Sequence, residues 1–489
     1  MANKTDTSTT AGKIVDLNDR MVQSRHPVGE EAIRATHDAG RLTARERIEA
    51  LLDEGSFVEI DALARHRSTA FKLDKKRPLT DGVVTGHGTV DGRPVCVFSQ
   101  DASIFDGTIG EMTGEKIVKV LELAIKSGTP IVGFYDGAGA RLKEGAVALE
   151  VLSKIFRLQA QASGVIPQVA VVAGPTGGAQ VHGVAMNDVV IDIADQGTLT
   201  LADAEETTQA GADALAGTSH ITVPDESAAA DMVADALAYL PSNNRALAPM
   251  ADAVDQVVLD LNTAIPDSSA EAYDMREILE GVLDEDSLLE LGLQFAPNLI
   301  TAFARIAGKS VGVLANQPLN KAGGLDIDSA EKATYFIRLC DAFNIPLISF
   351  IDVPGFLPEG ADAPVIRRTT KLFHAQAGAS VGKITVVTRK ATGSAYLALA
   401  AKRMGTDLVF AWPTAEIAVA DAEDIAADTG VSEDEIRDKL VNPYEAAARG
   451  LVDAVIPPAE TRDKIIEGLR LLERKVEDSY PRKHDTMAF

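Results

Sequence analysis

The sequence predicts an α/β protein made of two related units in tandem, and three observations carry that prediction. Glu115–Glu144, EKIVKVLELAIKSGTPIVGFYDGAGARLKE, returns without a gap at Glu331–Gly360, EKATYFIRLCDAFNIPLISFIDVPGFLPEG. Glu115, Lys116, Leu123, Pro130, Phe134, Asp136 and Gly139 match Glu331, Lys332, Leu339, Pro346, Phe350, Asp352 and Gly355. A second echo precedes the first in both halves: ARERIEALLDEGSFVEI at Ala44–Ile60 and MREILEGVLDEDSLLEL at Met275–Leu291. Finally, each half reads as repeated strand, turn and helix, which implies a mainly parallel sheet with helices packed on it.

The repeated unit explains itself locally. Ile117, Leu121, Ala124 and Ile125 fall on one helical face, with Lys116, Lys119, Glu122 and Lys126 on the others. Ser127-Gly128 ends that helix, and Ile131–Tyr135 is apolar throughout, as a strand covered on both faces must be. Asp136-Gly137-Ala138-Gly139-Ala140-Arg141 then carries little side chain between its charged ends. Such a loop lets a ligand approach peptide N–H groups closely, although tight packing alone also selects small residues.

Taken in order, residues 1–25 begin with a Ser/Thr-rich stretch lacking an apolar signal region, and are expected to form a disordered tail. Thr43 and Glu46 have capping-box spacing ahead of Ile48, Leu51 and Leu52. Gly82–Val90 and Pro94–Phe98 flank an Asp91-Gly92 turn, a hairpin signal, with counterparts at Ala302–Ile306 and Val311–Leu314 around Gly308. A helix over Ala146–Gln161, a strand over Gln168–Ala173, the turn Gly174–Ala179, a helix from Gln180 and a strand over Asp188–Ile193 follow. An acidic, weakly patterned connector at 246–270 separates an N-terminal domain, 26–245, from a C-terminal one, 271–489.

Composition narrows the function. With 489 residues, 46% of them hydrophobic, two domains with substantial cores are expected. A net charge of -25 and a pI near 4.7 argue against nucleic acid or an anionic membrane as partner, so an anionic ligand needs a local basic patch. Cys96 and Cys340 each lie in an apolar run and read as reduced thiols of a cytoplasmic protein; no metal-ligand spacing is present. Two glycine-rich turns per unit, each after a buried strand, suit a carbonyl that becomes an enolate. Converging peptide N–H groups and a helix N-terminus can hold the oxyanion without a charged side chain. That layout is offered at Asp136–Arg141 with Gly174–Ala179, and at Asp352–Phe356 with Arg389–Ala395.

SQD at Ser99–Asp101, DGAGAR at Asp136–Arg141, SGVIPQ at Ser163–Gln168, LPSNN at Leu240–Asn244, ANQP at Ala315–Pro318, DVPGFLP at Asp352–Pro358, AWPTAEIAV at Ala411–Val419 and NPYEAAARGLVDAVI at Asn442–Ile456 are also present. Together they make the chain resemble the carboxyltransferase β subunit of biotin-dependent acyl-CoA carboxylases, most of all the actinobacterial acetyl-/propionyl-CoA type. The resemblance implies a tandem crotonase (ClpP-like) fold, a β-β-α superhelix, assembled as a hexamer. It implies acyl-CoA as substrate on the N-terminal unit, biotin as cofactor on a partner carrier facing the C-terminal unit, a biotin carboxylase partner, and no metal in this subunit. Carboxybiotin would release CO2, the biotin anion would take the α-proton, and the enolate would attack CO2. By position, the amides of Gly177 and Gly178 would hold the thioester oxygen and those of Ser394 and Ala395 the ureido oxygen. Gly137, Ala138, Gly139, Ala140, Arg141 and Gly393 would line the ligands, and Leu397 would stand where relatives tune acyl-chain choice.

The chain also departs from that pattern. Asp106 replaces a second Gly after Phe105; Thr198–Asp203 runs straight into Ala204-Glu205 where a longer loop is expected; His182-Gly183 replaces Tyr-Ser; Thr392 replaces Tyr and Ser394 Gly. The loop after Pro358 lacks a Gln-Glu and a Gly, and an acidic run, Asp421–Asp438, replaces a Gly/Ala-rich helix. Two readings follow: an active carboxyltransferase of altered acyl preference, or a non-catalytic or half-catalytic paralogue completing a mixed hexamer with an active β subunit.

Overall fold

The computed structural model describes residues 7–201, 217–358, 362–477, 481 and 486. The chain divides into two compact units, Met1–Ala246 and Leu247–Phe489.

In the first unit, strands β1 (Val58–Ile60), β2 (Val83–Val90), β3 (Arg93–Gln100), β4 (Ile131–Tyr135), β5 (Gln168–Val172), β6 (Pro175–Gly177), β7 (Val189–Ile193), β8 (Thr198–Thr200) and β9 (Ile221–Val223) alternate with helices. The helices are α1 (Thr10–Arg25), α2 (Glu30–Asp38), α3 (Ala44–Leu51), α4 (Glu111–Ser127), α5 (Ala146–Ala162), α6 (Gln180–Ala185) and α7 (Glu226–Tyr239). The main sheet runs β1-β2-β3-β4-β5-β7-β9, antiparallel through the β2–β3 hairpin and parallel from β3 onward; β6 and β8 pair separately. The capping box of α3 forms as expected, Glu46 N–H donating to Thr43 Oγ1 at 3.3 Å and Thr43 N–H to Glu46 Oε2 at 2.8 Å. Helix α4 lays Ile117, Val120, Leu121 and Ala124 on the sheet and stops at Gly128 in the left-handed region, φ 66.

The second unit repeats the plan. Strands β10 (Leu289–Leu291), β11 (Leu299–Ile306), β12 (Lys309–Asn316), β13 (Leu347–Val353), β14 (Lys383–Thr392), β15 (Leu408–Ala411), β16 (Glu416–Ala418) and β17 (Ala454–Val455) form one sheet with β16 branching from β14. Helices α8 (Met275–Glu280), α9 (Ile327–Ala342), α10 (Asp362–Gly378), α11 (Gly393–Ala400), α12 (Ala422–Thr429), α13 (Glu433–Lys439), α14 (Pro443–Ala448) and α15 (Thr461–Leu472) complete it. Both β4 and β13 are buried along their whole length, as their unbroken apolar runs require. Trp412 is fully buried and its indole N–H donates to Thr461 Oγ1 at 2.9 Å, tying the strand side of the unit to α15. Cys96 and Cys340 are buried free thiols.

Two expectations are corrected, for residues 10–25 and for the run Asp421–Asp438. Residues 10–25, assigned to a disordered tail, form α1, whose N-cap Thr9 accepts from Gly12 N–H. In the connector 246–270, Ala251 N–H donates to Gly308 O at 3.0 Å and Val257 N–H to Glu280 O at 3.2 Å, so hydrogen bonds invisible to side-chain periodicity lay it along the second unit. The run Asp421–Asp438 contains two helices, capped by Asp421 and Ser432 and closed on Ala422, Ile436 and Val441. Residues 202–205 of the Thr198–Glu205 segment and residues 359–361 of the loop after Pro358 lie outside the described residues.

The repeated Lys116 and Lys332 are structural. Each is buried and donates only to backbone carbonyls, Lys116 to Thr80 and Val83, Lys332 to Gly292, Phe295, Ala296 and Leu299. Burial pushes both ammonium groups down to about 8.

Candidate functional site

Each unit builds its site where a central parallel strand ends and the chain turns. In the first, β4 delivers Asp136 and the loop to Arg141; in the second, β13 delivers Asp352 and the loop to Leu357. The two loops are pinned alike: Ile109 N–H donates to Gly139 O (2.8 Å) and Arg141 N–H to Ile109 O (2.9 Å), while Leu325 N–H donates to Gly355 O (3.0 Å) and Leu357 N–H to Leu325 O (2.7 Å). The duplication read from sequence therefore reaches individual hydrogen bonds.

The paired aspartates anchor these loops. Asp136 is buried, its carboxylate accepting from Arg47 Nη1 at 3.0 Å and from Arg41 Nη2, and its N–H donating to Gln100 Oε1 at 3.0 Å. Arg41 also donates to Ala173 O at 3.0 Å, just before the second turn, and Arg47 is held on its other side by Glu226 at 2.6 Å. The side-chain amides of Gln100 and Gln180 bond each other at 3.0 and 2.9 Å, which ties β3 to the helix after that turn. Asp352 is held by different residues to the same end: it accepts from Arg389 Nε (2.9 Å), Tyr273 O–H (3.0 Å) and Lys390 N–H (3.0 Å). Burial, and then the Asp352 charge, hold the Tyr273 phenol well above its ordinary value, so it stays a donor. Sequence reading found both aspartates through the repeat, but missed Arg41, Arg47, Glu226 and Tyr273, which lie 79 to 95 residues from their aspartate or, for Glu226, beyond Arg47.

The second turn follows β5 in one unit and β14 in the other. Strand register pairs Ile131 with Gln168 and Leu347 with Lys383, so Gly178 and Gly393, ten residues further on (168 to 178, 383 to 393), are counterparts. Both are left-handed, with φ 61 and 60, a conformation only glycine adopts freely. The turns differ in form: β6 separates Gly178 from β5, whereas β14 runs unbroken to Thr392 and α11 starts at once, which corrects the expected loop at Arg389–Ala395.

The peptide groups decide the chemistry. Gly177 N–H donates to Gly137 O at 3.1 Å, so the expectation that Gly177 faces a ligand is wrong: the β6 segment uses that donor to join the two loops. Among the described residues, the N–H groups of Gly139 and Ala179 have no acceptor, while Gly178 closes the β6–β8 pairing. A Cβ on Gly139 would stand 2.9 Å from Gly177 O and 3.4 Å from Gly178 Cα, so the donors of the two turns lie side by side. In the second unit Ser394 and Ala395 open α11, whose N-cap Thr392 provides no side-chain cap. First-turn amides of such a helix are unsatisfied donors at the positive end of its dipole. Ser394 is exposed and Ala395 buried, and Ser394 does not have a positive φ, so its side chain brings no backbone strain.

The other expected residues divide clearly. Gly137, Ala138, Gly139 and Ala140 form the first loop, Ala138 N–H being taken by Asp106 O at 3.1 Å. Asp106 is left-handed, φ 54, a conformation its short side chain tolerates, so the turn survives without the second glycine. Arg141 does not reach outward: buried, it bonds Asp81 (3.0 Å), Glu144 (2.9 Å), Thr113 Oγ1 (3.0 Å) and Thr108 O (3.1 Å), and stacks on Phe105 at 4.6 Å. It braces the loop. Leu397 is exposed on α11, and a Cβ placed on Gly393 would stand 3.2 Å from Val419 O. The described residues include no group of His, Cys, Asp and Glu able to hold a metal ion, and no helix among them is long and apolar enough to cross a membrane.

Two β-β-α units, each offering peptide donors at the end of a parallel strand, define a tandem crotonase-fold protein of the class that stabilises enolates of acyl thioesters. Residues 35–487 match the carboxyl transferase domain family. The chain is 49% identical to the biotin-dependent acetyl-/propionyl-coenzyme A carboxylase β5 subunit of Mycobacterium tuberculosis, over 98% of this chain and 95% of that one. It is 45% identical to the propionyl-CoA carboxylase β chain of Saccharopolyspora erythraea, over 99% and 97%. Among solved structures it is similar to transcarboxylase 12S, described as a hexamer with methylmalonyl-coenzyme A and methylmalonic acid bound, with a TM-score of 0.95, 37% identity and coverage of 99% of this chain and 100% of that one. The chain belongs to the carboxyl transferase family and is a carboxyltransferase subunit of the biotin-dependent acyl-CoA carboxylase type.

Proposed function

We propose that the first unit binds an acyl-CoA, with the Ala179 amide, beside Gly139, receiving the thioester oxygen, and that the second unit receives biotin carried by a partner subunit. The observation that carries this reading is the pair of left-handed glycines, Gly178 and Gly393, at equivalent positions of the two units, each followed by an amide at a helix start. The uncapped first turn of α11 suits the ureido oxygen of biotin: it supplies donors, small residues and a dipole of the right sign, with no buried carboxylate competing at Ser394 or Ala395. Bound there in its carboxylated form, biotin supplies the carboxyl group.

The protein's part is polarisation and placement. The amides of the first site lower the cost of developing negative charge on the thioester oxygen, which acidifies the α-carbon. A single donor of this kind contributes roughly 10²–10³ in rate. The anchors Arg41, Arg47 and Asp136 fix both turns beforehand, so the donors need not reorganise during reaction. The partners required by this reading are a biotin carboxylase and a biotin carrier, together with further copies of this chain or related β subunits in a hexamer.

The test is transfer of label from bicarbonate to acetyl- or propionyl-CoA by the purified chain with its carrier and biotin carboxylase. Label in the acyl-CoA supports the reading. Transfer only after co-expression with a related β subunit contradicts it and identifies a paralogue that completes a mixed assembly.

A further inference from the structure

Apart from the anchoring aspartate, one buried side-chain pair reaches both turns of the first unit. Gln100 ends β3 and Gln180 opens α6, and both are buried. Their amides pair reciprocally, Gln100 Nε2 donating to Gln180 Oε1 at 3.0 Å and Gln180 Nε2 to Gln100 Oε1 at 2.9 Å. The second hydrogen of Gln100 Nε2 goes to Gly107 O at 3.1 Å, and Gln100 Oε1 also accepts from Asp136 N–H at 3.0 Å. Two donor hydrogens and two lone pairs are all that an amide has, so Gln100 is saturated. It can rotate only by breaking hydrogen bonds where no solvent replaces them.

The second unit shows which part of this network is shared. Strand register pairs Ser99 with Phe134 and Ala315 with Phe350, matching positions of the repeat, so Asn316 is the counterpart of Gln100. Asn316 Nδ2 donates to Gly323 O at 2.9 Å and Asn316 Oδ1 accepts from Asp352 N–H at 3.3 Å, the same two backbone contacts. Gln180 stands two residues after Gly178, and the residue two after Gly393 is Ala395, which has no amide to offer. Asn316 therefore holds its own loop, and the side-chain tie from strand to helix is made by Gln100 in the first unit.

That tie closes a ring around the free donors. Gly177 N–H already joins the second turn to Gly137 O, and the glutamine pair joins it again, through Gln180, to Asp136 N–H. Ala179 lies between these two joints on one turn, and Gly139 follows both on the other. The ring has no slack, because a Cβ on Gly137 would stand 2.3 Å from Gly107 O and 2.9 Å from Gln100 Nε2. We propose that Gln100 and Gln180 are positioning residues for carboxyl transfer, their amide pair fixing the separation of the Gly139 and Ala179 N–H groups that receive the thioester oxygen. Such donors act only at hydrogen-bond distance from the oxyanion, and a displacement of about 1 Å costs about 10² in rate. The proposal rests on the reading of the first unit as the acyl-CoA side.

The experiment measures label transfer to propionyl-CoA, with carrier and biotin carboxylase in excess, by wild type, Gln180→Ala and Gln180→Glu. Gln180→Ala is expected to fold, since α11 carries alanine at the equivalent place, and to lose about 10² in kcat with KM little changed. A protonated glutamic acid both donates and accepts. Gln180→Glu is therefore expected to match wild type at low pH and to fall towards the alanine variant as pH rises, when the buried acid, its pKa raised by desolvation, loses the donor hydrogen. A kcat for Gln180→Ala within about threefold of wild type, or a Gln180→Glu enzyme as impaired as the alanine variant at every pH, overturns the proposal. Hydrogen–deuterium exchange gives a readout without turnover: residues 136–141 and 175–185 are expected to exchange faster in Gln180→Ala, and unchanged exchange also overturns it. Wild type that transfers no label while Gln180→Ala exchanges faster removes the functional reading and keeps the tie between the turns.

Discussion

Asp352→Ala is expected to lower the free energy of unfolding by about 3–5 kcal/mol, because removing one partner of a buried ion pair leaves the other charge uncompensated. Arg389, 7% exposed at its side chain, would lose its carboxylate, and Tyr273 its acceptor. Asp136→Ala should cost less, since Arg47 keeps Glu226 and Arg41 is 22% exposed. Urea unfolding of both variants beside wild type measures the difference. Equal costs for the two changes would mean that Glu226 does not compensate Arg47. Costs under about 1 kcal/mol for both would mean that the aspartates are not the anchors of their loops.

The largest expected catalytic effect follows Gly139→Ala. A methyl group there would press on Gly177 O at 2.9 Å, and φ 97 is itself unfavourable for alanine. The turns must part, and with them the donors that flank the thioester oxygen, so kcat should fall by about 10²–10³ with a smaller change in KM. Gly355→Ala provides the control. Its Cβ would meet nothing within 4 Å, so backbone strain at φ 153 opposes the methyl there without the added clash, and a smaller loss is expected. Steady-state kinetics on both variants, with circular dichroism to establish folding, separates the effects; a Gly139→Ala enzyme with undiminished kcat would place the oxyanion elsewhere.

Much of this was legible in the chain itself. The repeat located β4 and β13, both aspartates, Gly139 and Gly355, because a buried strand and a tight turn leave strong local patterns. What was not legible is the direction of single peptide groups. Gly177, Gly178 and Ala179 are adjacent small residues in sequence, yet the Gly177 N–H is spent on Gly137 and Gly178 closes the β6–β8 pairing, so the donor left over is that of Ala179. Arg141 ends a glycine-rich loop in the manner of a ligand contact, and only folding brings Asp81, sixty residues away, to neutralise it. The left-handed pair Phe71-Lys72 gave no signal at all, since neither residue is a usual choice for that backbone.

The most direct test runs the reaction in reverse with this chain alone: methylmalonyl-CoA and free biotin, with released CO2 as the readout. Two peptide-amide sites, one per unit, predict release that depends on biotin and is lost both in Gly139→Ala and in Ser394→Pro, which removes a donor amide at the start of α11. Release that continues without biotin, or that survives both substitutions, would contradict the account.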